Sequence, residues 1–108
     1  MPTIRVLAQS APSAAAETAL YTCATTSAVI SSLFICNTSS STADSFTVRI
    51  CIGGAGDTAA QILFASAPIP ANTTLPVVAG ITCANTDVIK VTSTNGTISF
   101  SLFGQENI

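Results

Sequence analysis

The chain has 108 residues, of which 48% are hydrophobic but only 7% charged, against roughly a quarter in an ordinary soluble domain. Three cations (Arg5, Arg49 and Lys90) stand against five acids. That is too little positive charge to hold a nucleic-acid backbone or to dock on an anionic membrane.

No apolar run reaches the ~18 residues of a spanning helix, and the first one breaks at Gln9-Ser10, too early for a secretory leader. Synthesis in a reducing cytoplasm is therefore expected.

Taken in order, the chain alternates with period two between turn residues, the pattern of half-buried strands. Residues 3–9 put Ile4 and Val6 on one face and Arg5 on the other, and Pro12 ends the run. Residues 14–19 alone permit a helix, and they are too few to sustain one. Residues 19–23 read as a second strand. Residues 27–37 are apolar on both faces in their second half, as expected of a strand covered by the facing sheet and by a neighbouring subunit.

After a polar loop (37–44), residues 45–52 alternate most clearly. Phe46, Val48, Ile50 and Ile52 are expected inward; Thr47, Arg49 and Cys51 outward. The Gly53-Gly54-Ala55-Gly56-Asp57 segment lacks the Lys-Ser/Thr of a phosphate-binding loop and reads as a turn. A strand over 59–66 and a rigid Pro68-Ile69-Pro70 connection follow. Next come a short edge-like strand at 73–78 carrying Pro76, and a strand at 87–92. Asn95-Gly96 marks a hairpin into the last strand, 97–103, with Ile98, Phe100 and Leu102 inward. The expectation is one all-β domain over residues 1–108. It would be a single β-sandwich, jelly-roll or immunoglobulin-like, of about eight short, mainly antiparallel strands.

Candidate chemistry is sparse. The chain has no histidine, which removes the usual general base and any Ser-His or Cys-His nucleophile pair. Cys23, Cys36, Cys51 and Cys83 contain no C-x-x-C pair, so a metal site is not expected; they read as free thiols filling apolar positions, ahead of disulfides. Glu17, Asp44, Asp57, Asp87 and Glu106 fall at turns or ends, the ordinary place for solvated acids. A glycosidase-like carboxylate pair among them is the one enzymatic alternative. Sequons at Asn37, Asn72 and Asn95 arise readily in so Ser/Thr-rich a chain.

The segments Ile4-Arg5-Val6-Leu7-Ala8-Gln9-Ser10-Ala11-Pro12, Ser27-Ala28-Val29-Ile30-Ser31-Ser32-Leu33 and Pro68-Ile69-Pro70-Ala71-Asn72-Thr73 together resemble small bacteriophage virion proteins. The ending Ile98-Ser99-Phe100-Ser101-Leu102-Phe103-Gly104 resembles the same group. The resemblance implies a virion structural protein: a capsid decoration (cement) protein binding neighbouring major capsid subunits, or a tail or fibre component. A carbohydrate-binding module is a more distant alternative, since the chain has no Trp and one Tyr. Expected contact residues are Ile4, Val6 and Leu7 on the first strand, with Phe103 and Ile108 at the end. The expected partners are capsid or tail proteins and further copies of the chain, with no cofactor, small-molecule substrate, nucleic acid or membrane.

Overall fold

The computed structural model describes residues 2–78 and 80–107. Among them are nine strands: β1 Pro2–Ser10, β2 Thr18–Thr22, β3 Ser27–Asn37, β4 Asp44–Cys51, β5 Ile62–Ile69, β6 Thr74–Val77, β7 Ile81–Ala84, β8 Val88–Ser93 and β9 Ile98–Asn107. Helical structure amounts to two three-residue 3-10 turns, Ile52–Gly54 and Ala59–Gln61.

The strands form two antiparallel sheets. One has five strands, ordered β1-β9-β3-β6 with β7 also pairing β3; the other has four, ordered β2-β8-β4-β5. β6 and β7 lie in succession along β3, against residues 33–36 and 27–30 respectively, which is why the expected eight strands become nine.

β9 is buried at every second residue from Ile98 to Glu106, so period-two patterning translates directly into one core-facing side. Both sheets contribute to one core. Ile30, Leu33, Ile35, Phe100 and Leu102 come from the first, and Phe46, Val48, Ile89 and Val91 from the second. Phe46 and Phe100 meet edge to face across it, with centroids 6.5 Å apart. Each such buried aromatic contributes about 1.5–3 kcal/mol of transfer free energy.

Several local expectations need correction. Leu7 is buried, not an exposed contact, because β1 carries a bulge between Val6 and Ala8: Leu7 is the extra residue and turns into the core. Ile52 lies outside β4 and is 77% exposed, whereas Cys51 is fully buried. Residues 52–61 fold back near it, and the Cys51 thiol donates to Gln61 Oε1 at 3.4 Å. β5 runs to Ile69 through Pro68, which an edge strand tolerates because it is paired on one side only. β7 was not anticipated.

Three of the acids are core-end clasps rather than solvated groups. Asp44 accepts five hydrogen bonds at one end of the core, including Ser93 Oγ at 2.8 Å and Asn95 N at 2.9 Å. At the other end Asp87 accepts from Gly53 N and Ala84 N, both at 2.9 Å. There, too, Glu106 accepts from Arg5 Nε at 2.8 Å and from the Tyr21 hydroxyl at 2.6 Å. Tyr21 belongs to the four-stranded sheet and Glu106 to the five-stranded one, so this bond ties the sheets together.

Candidate interaction surface

The outer face of the five-stranded sheet is built by the residues that alternate away from the core. Register places Ile4, Gln105 and Val29 in one row across β1, β9 and β3. Val6 faces Phe103 in the next row, and Gln9, Ser101, Phe34 and Pro76 make a third. A bulge in β3 between Ile30 and Ser32 keeps Val29 and Phe34 on the same side although they are five residues apart.

This face is apolar and open. Ile4 is 82% exposed, Val6 46%, Val29 44% and Phe34 39%. Phe103 points outward, as its position opposite Phe100 in the alternation implies, and its ring meets Phe34 edge-on at 5.7 Å. Between Ile4 and Val29 lies an open concavity of about 280 Å³, lined also by Ser31, Gly104 and Gln105. At Gly104 the β9 and β3 backbones approach so closely that a Cβ would overlap the Val29 carbonyl oxygen. Exposed apolar residues grouped on one face mark interaction sites more often than do scattered ones.

Of the five expected contact residues, the structure brings Ile4, Val6 and Phe103 together on this face. Leu7 is in the core, and Ile108 lies outside the described residues. Val29, Phe34 and Pro76 complete the face and were not singled out from sequence. The signal for Phe34 was the apolar character of both faces in the second half of residues 27–37.

The charged side chains are all engaged internally. Glu106 holds Arg5, and the Arg5 hydrogen bond, followed by that of Tyr21, keeps the Glu106 carboxyl below its ordinary range despite burial. On the outer face of the four-stranded sheet Arg49 and Lys90 face Glu17 and Asp57. Arg49 Nε stands 3.2 Å from Glu17 Oε2, and Lys90 Nζ 3.3 Å from Asp57 Oδ1. Arg49 Nε is buried without a well-aligned acceptor, so its contact with Glu17 is ionic and not a formed hydrogen bond.

Burial, and after it the adjoining Asp57 carboxyl, raises the Glu17 pKa. Asp57 is lowered, first by its hydrogen bond with Glu17. Two acids and two bases cancel here, which makes a clasp holding residues 52–61 and not a charged docking patch.

Among the described residues no group of three or more His, Cys, Asp or Glu is placed to hold a metal ion. No helix there is long and apolar enough to cross a membrane. The chain is thus defined by its architecture, an all-β protein of two antiparallel sheets with one outer face apolar. No protein-family model and no curated protein matches it.

Proposed function

We propose that this chain is a structural subunit of a bacteriophage virion. It would act as a capsid decoration (cement) protein that lays the outer face of its five-stranded sheet on neighbouring major capsid subunits. The observation that carries this reading is the pairing of an open apolar face with a surface whose charged side chains are all spent on internal contacts. A partner is then gained by apolar burial, at roughly 25 cal/mol per Å², with hydroxyls and amides supplying the hydrogen bonds.

The strand order supports the finer reading of the fold as a single jelly roll. β1 pairs β9, β2 pairs β8, β3 pairs β6 and β7 together, and β4 pairs β5. That is a long hairpin rolled into two sheets, with β6 and β7 as two halves of one strand position. It is an architecture that viral capsid domains use often, an analogy of fold and not of site. In this reading the protein is no enzyme, needs no cofactor, and resides in the virion after synthesis in the host cytoplasm.

Gold-labelled antibody on intact particles, followed by density fitted at the labelled positions, tests the proposal. Decoration of the shell is expected. Label confined to the tail replaces the cement role with a tail or fibre one, and absence from purified particles overturns the virion reading altogether.

A further inference from the structure

We infer that the outer edge of β1 is a self-association edge: two copies pair their β1 strands antiparallel about a two-fold axis, joining two five-stranded sheets into one. The inference goes beyond the proposed function: it concerns the isolated chain and does not require a particle.

An open sheet edge is a template for pairing unless something blunts it. The edges of this molecule differ in that respect. β2 is five residues long and bulged between Ala19 and Tyr21. β5 shifts register twice, holds Ser66 at positive φ and contains Pro68. β6 and β7 are four residues each, and β6 contains Pro76. β1 is nine residues long; it begins at Pro2 and is bulged between Val6 and Ala8, and between these two features residues 3–6 keep regular register with β9. Among the described residues no strand pairs its other side.

Charge decides the occupant. The usual guard of an edge is a lysine or arginine, and the one charge on this strand, Arg5, is neutralised by Glu106 of its own chain. Two β1 strands therefore meet without like-charge repulsion. A foreign strand would need the same neutrality, whereas a second copy has it by construction and closes symmetrically. The pairing also makes the apolar faces continuous, since Ile4 and Val6 of each copy come to lie beside those of the other.

A few paired residues bury much less than the ~800 Å² per partner of a stable interface, so the association is weak, with Kd between ~10 μM and ~1 mM. It would be driven by the high local concentration that an assembly provides.

Sedimentation velocity from ~10 μM to ~1 mM reads this directly. The wild-type chain is expected to shift from monomer to dimer. Ile4→Lys and Val6→Lys change exposed side chains and set like charges across the two-fold, so each is expected to weaken the dimer at least ~10-fold. Phe34→Lys, the same change on the same face but two strands inward, is expected to leave it intact.

As a second readout, facing strands bring Cα atoms to ~4.5–5.5 Å. Of Thr3→Cys, Ile4→Cys and Val6→Cys, at least one should therefore form a disulfide-linked dimer on oxidation. A wild-type chain that stays monomeric at ~1 mM, with no cross-link at any of the three positions, overturns the inference. So does a dimer lost in Phe34→Lys and kept in Ile4→Lys, which would mean that the sheets stack face to face.

Discussion

Replacing Asp44 by asparagine tests whether the ends of the core are held by charge. Asp44 is buried, and its two oxygens accept from Ser45 N (2.7 Å), Ser93 Oγ (2.8 Å), Asn95 N (2.9 Å), Thr97 Oγ1 (2.9 Å) and Thr97 N (3.3 Å). Burial by itself raises the carboxyl pKa. The hydrogen bonds from Ser93, Asn95, Ser45 and Thr97 outweigh it and bring the value down to about 2.

An aspartate in the unfolded chain titrates near ~3.9, so the folded state binds the proton less readily. Its contribution is complete above about pH 5 and is lost as pH falls toward about 2. The difference between the two states is worth on the order of 2–3 kcal/mol.

An asparagine also points an NH₂ at groups that themselves donate, leaving donors without an acceptor at ~1–3 kcal/mol each. Urea unfolding at neutral pH should show Asp44→Asn destabilised by about 2–4 kcal/mol. The gap to wild type should then shrink between about pH 5 and pH 2, because the contributions of Glu106 and Asp87 are common to both proteins and cancel. A loss below ~0.5 kcal/mol, or a gap constant with pH, would refute the clasp.

Two further outcomes follow from packing. Gly104→Ala drives a methyl group into the Val29 carbonyl oxygen and must displace β3 from β9; a loss of about 1–3 kcal/mol in the same unfolding assay is expected, and a neutral result would sink the close-approach account. Thiol alkylation followed by mass spectrometry should modify the half-buried Cys36 ahead of Cys23, Cys51 and Cys83; burial, then the nearby Asp87, pushes the Cys83 thiol up to about 11, and equal labelling of Cys83 and Cys36 would contradict that.

What could be read from the sequence is what depends on local periodicity. β9 alternates throughout and β4 does so as far as Arg49, so their inward residues (Phe46, Val48, Phe100 and Leu102) are assignable without a partner strand; the pattern fails at Ile50 and Cys51, where β4 ends. β7 is only four residues long, with Ile81, Cys83 and Ala84 as its apolar positions, and exists because it pairs with residues 27–30, a long-range fact. The Leu7 bulge has the same origin: the residue count between Val6 and Ala8 is fixed by β9, not by β1. The acids were misjudged for a related reason. Asp44 looks like a loop residue, but four of its five donors come from residues 93–97, about fifty positions away.

The scarcity of charge acquires a sharper meaning once those acids are placed. A low count of charged residues could simply mean a surface solvated by hydroxyls. Instead, Asp44, Asp87 and Glu106 close the two ends of the core, Arg5 answers Glu106, and the remaining four cancel over residues 52–61. No charged side chain is left over to steer a partner or to repel one. On the five-stranded sheet this leaves an outer face carrying Ile4, Val6, Val29, Phe34 and Phe103, bounded by an edge strand whose single charge is already neutralised. Selection for a freely diffusing monomer would be expected to place a lysine there, at the cost of nothing in the core. On the proposed reading this face and this edge are covered where the protein works.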